Sequence, residues 1–132
     1  MSDLVNDWFK QFYPSAETLS HCETIYDSIG FRRIVPGVSN IFPAIVMADG
    51  LTLSVQGHYG AYSYPRDDFA DEYALVEIMG PKNADEALLP YQRDCNAVGE
   101  LMIYPGVPVS VVEKVVNRHG GLLSTTTEEV KP

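Results

Sequence analysis

Asp49-Gly50 separates an apolar run, residues 41–48, from a strictly alternating one, residues 51–56. An Asp-Gly pair readily adopts the backbone of a tight hairpin, and period-two alternation buries one face of a strand while wetting the other. Leu51, Leu53 and Val55 therefore define a core side, and Thr52, Ser54 and Gln56 a polar side. Pro43 makes the first strand start late or lie at an edge, because proline offers no ladder donor. The middle of the chain reads as antiparallel sheet.

Two more strands are predicted at residues 73–79, ended by Gly80-Pro81, and at residues 100–104, ended by Pro105-Gly106. Residues 31–40 read as a strand fragment or connector, and Asn83 or Asp85 opens a helical turn through Leu88, Leu89 and Tyr91. Helical spacing marks both ends. Leu4, Val5, Trp8, Phe9 and Phe12 form a stripe that Ser2 or Asp3 can cap and Tyr13-Pro14 closes. Leu19, Cys22, Ile25, Tyr26 and Ile29 predict a second helix over residues 15–29, with Ser15 as N-cap and Gly30 past its end. Val109, Val112, Val115 and Val116 predict a C-terminal helix that begins at Pro108 and stops at Gly120-Gly121. The fold class is thus α+β: an antiparallel sheet of four to five strands, an N-terminal helical pair and a C-terminal helix. The 132 residues fit one domain, with residues 1–30 as a helical extension, 31–123 as sheet plus helix, and 124–132 as a polar tail.

Eighteen acidic against nine basic side chains give a formal net charge of −9. That balance opposes binding along a nucleic-acid backbone, which needs a basic surface. It leaves room for a focused, arginine-lined pocket. Cys22 and Cys95 lack a CxxC companion and read first as two buried thiols, with a disulfide as the alternative, and no apolar run is long enough to span a bilayer. The expected location is the cytoplasm. His21, His58 and His119 show no metal-ligand spacing, no glycine-rich phosphate loop is present, and no catalytic set or cofactor motif is apparent.

The segment that follows residues 51–56 holds the chemistry. His58, Tyr59, Tyr62, Tyr64 and Arg66 fall within nine residues. Aromatic faces beside a guanidinium suit a flat, anionic small molecule. The same residues also fit an ordinary half-buried hairpin. Arg32 and Arg33, at the start of a strand fragment, fit either a salt bridge or a phosphate contact, one on each side of the strand. The acidic run that follows, Asp67, Asp68, Asp71 and Glu72, reads as a solvated tip.

A resemblance extends these readings. Leu53-Ser54-Val55-Gln56, His58-Tyr59, Tyr64-Pro65-Arg66, Tyr73 with Val76-Glu77, Leu88-Leu89-Pro90-Tyr91, residues 104–113 and His119-Gly120-Gly121 resemble, in order and spacing, small proteins carried by phages and prophages. The pattern is similar to that of the phage Thoeris anti-defence sponges, which carry Cys-Ser-Pro-Arg where this chain has Ser63-Tyr64-Pro65-Arg66. The resemblance implies an antiparallel sheet with C-terminal helices, a homodimer or larger oligomer, and capture of a cyclic nucleotide-derived immune signal without cleavage.

On that reading Tyr59, Tyr62 or Tyr64 stacks on a base, Arg66 with Arg32 or Arg33 meets phosphate, and Gln56 and His58 supply polar contacts. The rival is an acidic module that inhibits a host defence or nucleic-acid-binding complex through Asp67, Asp68, Asp71 and Glu72. A third, weaker reading gives His58 or Glu77 an acid–base role in an enzyme.

Overall fold

The computed structural model describes residues 4–94 and 101–123. Expectations for Ser2, Asp3, Cys95, Glu100 and residues 124–132 lie outside the described residues.

The Asp49-Gly50 turn joins β3 (Ile45–Val46) to β4 (Thr52–Gln56), with Gly50 at φ +98°. Together with β5 (Leu75–Pro81), β6 (Arg93–Asp94) and β7 (Leu101–Pro108) they form a five-stranded antiparallel sheet in the order β3-β4-β5-β7-β6. Alternation places Leu53, Val55, Val76, Ile78, Tyr104 and Val107 on one buried face. Val112, Val115 and Val116 of α3 (Val109–Arg118) and Val5 and Phe9 of α1 (Leu4–Lys10) complete the same cluster. Burying a side chain of this size contributes about 1.5–3 kcal/mol. This cluster holds the domain, since helices as short as α1 are marginal alone. The architecture is the expected α+β one.

α1 is part of the core. Buried Asn6 donates to the Tyr73 carbonyl and accepts the Tyr73 N–H, and Phe9 stacks on Phe42 at 4.3 Å between ring centres.

The second helix is a correction. α2 (Ala16–His21) stops after six residues, and the chain turns into β1 (Glu23–Tyr26), which pairs with β2 (Phe31–Ile34) as a separate two-stranded ribbon. The helical spacing of Ile25, Tyr26 and Ile29 is a coincidence that local chemistry overrules. Thr24, Ile25 and Tyr26 are strand formers, and Asp27 Oδ1 accepts the Ile29 and Gly30 N–H groups to make the hairpin turn. Gly30 caps no helix. A Cβ there would lie 2.0 Å from the Arg66 carbonyl oxygen, so glycine permits a backbone-to-backbone contact. Cys22 sits at the C-cap of α2 as a half-buried free thiol, not on a buried helix face.

Two strand boundaries also move. Only Ile45–Val46 of the apolar run 41–48 pairs as strand, because Phe42 is held by a side chain instead of a ladder. Pro105-Gly106 does not end β7. Val76 pairs with Val107 and Ile78 with Tyr104, so Pro105 and Gly106 together oppose Glu77. The extra residue is absorbed as a bulge, where proline's missing donor is tolerated and Gly106 takes φ +66°.

The end of α3 is tied down by charge. His119 Nδ1 lies 2.6 Å from Asp49 Oδ2, and its Nε2 lies 2.9 Å from Asp85 Oδ2, which also meets Arg118 Nε at 3.3 Å. Only an imidazolium can donate to both carboxylates. These hydrogen bonds raise the His119 pKa above 6.5. Asp49 is held below 3.8 by the Leu51 N–H and His119. Burial acts upward on Asp85, but the Ala87 N–H and His119 outweigh it and leave it below 3.8. A raised histidine contributes stability below its unfolded pKa that is lost as pH rises through the folded one; depressed carboxylates contribute above their unfolded pKa. The clamp is therefore strongest between roughly pH 4 and 6.5. Thermal melts across pH are expected to show the largest gap between the native chain and His119→Asn in that window, narrowing above it. A gap that widens toward pH 8 would contradict an ionic clamp.

Candidate functional site

Carboxylates hold the β1–β2 ribbon against the tyrosine-rich loop. The Phe31 N–H donates to Asp67 Oδ1 at 2.8 Å, and the Arg33 N–H donates to Asp68 Oδ2 at 3.0 Å. Asp68 Oδ1 accepts from Asn40 Nδ2 and from the Tyr59 N–H, each at 2.9 Å. Tyr59 is fixed at its other end, where the hydroxyl donates to Asp27 Oδ2 at 2.7 Å. That bond holds Asp27 below its ordinary pKa and Tyr59 above its own.

Between ribbon and loop lies a cleft of about 640 Å³, with Arg32, Arg33, Asn40, His58, Tyr59 and Asp68 among its walls. Alternation along β2 sends the two arginines to opposite sides, as the sequence implied. The Arg32 guanidinium lies over the Tyr59 ring at 5.3 Å, and that of Arg33 over Phe31 at 5.0 Å. Arg66 lies over Tyr62 at 5.1 Å, near enough for its charge to act on His58 and Tyr59. Among the described residues none of the three guanidinium groups pairs with a carboxylate. Arg33 Nε and Arg66 Nε are buried with no hydrogen-bond partner. A buried donor left unpaired costs about 1–3 kcal/mol. In a chain with twice as many acids as bases, three arginines held on aromatic rings with no ion pair among the described residues are set up for an anion from outside.

The sheet bulge positions Tyr62. Glu77, opposite the bulge, accepts the Tyr62 N–H at 2.6 Å, and the Gly106 N–H donates to the Tyr62 carbonyl at 3.1 Å. Both backbone groups of Tyr62 are thereby fixed, and its ring supports Arg66. Glu77, named above as an acid–base candidate, is half-buried and shapes the loop.

Other expected contacts resolve differently. Gln56 is 9% exposed, and its amide accepts the Phe42 N–H and donates to the Phe42 carbonyl, both at 2.8 Å. It anchors the segment before β3 and does not face the cleft. His58 lines the cleft; burial lowers its pKa, outweighing the upward pull of Asp68 and Glu77, with a smaller downward push from Arg66, and so favours neutral imidazole. Tyr64, two-thirds exposed, points to a smaller cleft of about 330 Å³ that it shares with Arg66, Tyr26 and Asp27. Of the acidic run, Asp68 is buried and Asp67 is tied to Phe31, so only Asp71 and Glu72 stand exposed. Asn40 and Asp27 were not foreseen, because each acts through a partner distant in sequence.

Among the described residues no group of three or more His, Cys, Asp or Glu side chains could hold a metal ion. No described helix is long and apolar enough to cross a membrane. No family model matches the chain, and no curated protein or solved structure is significantly similar to it.

Proposed function

We propose that this protein binds a small, planar, anionic molecule derived from a nucleotide and releases it intact, as a phage or prophage sponge that withdraws an immune signal in the host cytoplasm. The observation that carries this reading is the set Arg32, Arg33 and Arg66, each against an aromatic ring and none ion-paired with a carboxylate among the described residues. Guanidinium groups suit phosphate through paired N–H donors, and the rings beside them suit a base. Arg32 and Arg33 line a cleft of about 640 Å³, in the size range of small-ligand sites, and Arg66 lines a second one of about 330 Å³. The resemblance of residues 53–121 to phage sponges directs the choice toward nucleotide signals and toward a homodimer. The acidic-module alternative is weakened by the inward role of Asp67 and Asp68.

A thermal-shift panel of cyclic nucleotides and ADP-ribose derivatives tests the reading. A ligand at one hundred times its Kd adds about 2.7 kcal/mol, on the order of 10 °C for a domain of this size. The bound molecule, released by heat, is expected to be chemically unchanged by mass spectrometry. A flat panel defeats the small-molecule reading, and a cleaved product converts the sponge into an enzyme.

A further inference from the structure

Two polar groups in the cleft have their hydrogen-bonding sense fixed from behind. Asp68, as a carboxylate, only accepts, so Asn40 turns Nδ2 toward it at 2.9 Å and keeps Oδ1 as its free atom. His58 Nδ1 faces the Gly60 N–H at 3.0 Å and must accept from it. The proton of a neutral imidazole then resides on Nε2. Neither Asn40 Oδ1 nor His58 Nε2 has a partner among the described residues, and neither is sealed from solvent, unlike Arg33 Nε and Arg66 Nε. Both residues line the same cleft, beside the Tyr59 ring and the apolar side chains of Val35 and Val38. The cleft thus offers a fixed acceptor and a fixed donor next to surfaces suited to a flat ring.

We infer that Asn40 and His58 read the edge of the bound base, selecting a heterocycle with an amino group beside a ring-nitrogen acceptor over its oxo counterpart. The inference rests on the nucleotide reading above and adds base selectivity to it. A 6-aminopurine presents an N–H donor to Asn40 Oδ1 and a ring nitrogen to His58 Nε2–H; cytosine shares that edge chemistry. In the same pose a 6-oxopurine turns a carbonyl oxygen toward Asn40 Oδ1, and two acceptors face each other with no proton between them; its N1–H and O6 run in the reverse order along the edge. A site whose polar groups are fixed in this way rejects the wrong edge, because its own donor or acceptor is left unpaired. Asp68 and the Gly60 N–H are the positioning groups, since each sets the sense of the group that meets the base.

Calorimetric titration of the full chain with ADP, IDP and inorganic pyrophosphate separates base reading from anion binding. ADP is expected to bind about tenfold tighter than IDP or more, with pyrophosphate weaker than ADP but measurable. In Asn40→Ala the ADP-to-IDP ratio is expected to fall toward one while pyrophosphate affinity is retained. The native comparison needs no variant, so a folding defect in Asn40→Ala leaves the inference testable. ADP and IDP binding within about threefold of each other overturns the base reading and leaves anion capture standing. Failure of all three to bind also overturns the base reading, while the nucleotide reading is decided by the thermal-shift panel.

Discussion

Asp68→Ala is expected to lower unfolding stability by about 3–5 kcal/mol, among the largest losses at any polar position in the chain. The reason is the number of donors that depend on one buried carboxylate. The N–H groups of Arg33 and Tyr59 and the amide of Asn40 all point at Asp68, which is 4% exposed. Alanine removes the one charged acceptor that all three share, and each donor left unpaired costs about 1–3 kcal/mol. The loss is local as well as global. β1 is exposed along its whole length, and two-stranded ribbons of this size are not stable alone, so the β1–β2 ribbon depends on its anchors to the 59–68 loop. Urea unfolding measures the total. Hydrogen exchange at Arg33 and Tyr59 reports whether the ribbon opens first. A loss under about 1 kcal/mol would show that Asp68 is the solvated residue its acidic neighbours suggested.

That result bears on what can be read from sequence. Where local chemistry decides an element, residues 49–56 and 108–121 suffice: an Asp-Gly turn, strict alternation, a proline start and a glycine stop. Where two local signals compete, as in residues 15–29, helical spacing loses to a Thr-Ile-Tyr run followed by an aspartate turn. Contacts between distant segments carry no local mark. Gln56 follows a perfect polar alternation, yet the Phe42 backbone docks on it from 14 residues away. Asn40 looks like any loop asparagine until Asp68, 28 residues on, orients it. The tyrosines and arginines of the site were legible as types, because a cluster of planar and cationic groups is unusual in an acidic chain. Their division of labour was not. Tyr59 and Tyr62 become platforms through Asp27, Asp68 and Glu77, carboxylates whose partners lie far off in sequence.

Arg33→Met and Arg66→Met are expected to separate binding from stability. A structural arginine loses stability when its guanidinium is removed, because its partners are left unpaired. Here the described carboxylates make no ion pair with either group, and each already carries a buried Nε without a partner, so the free protein bears a cost that methionine removes. Methionine also keeps a flexible apolar stem and a sulfur against Phe31 or Tyr62, replacing part of the contact that the guanidinium made. The free variants are therefore expected to unfold within about 1 kcal/mol of the native chain, on either side of it. Binding moves the other way. Each hydrogen bond between a guanidinium and a phosphate contributes about 1.5–3 kcal/mol, so one substitution is expected to weaken an anionic ligand by ten- to a hundredfold or more. Paired melts, with and without the ligand that emerges from the nucleotide panel, measure both quantities on one sample. A variant whose free protein melts far below the native chain while its ligand-induced shift is unchanged would make these arginines structural and remove the ground for anion capture. The opposite pattern, an undiminished free protein with no ligand shift, is what a site assembled at the expense of stability predicts.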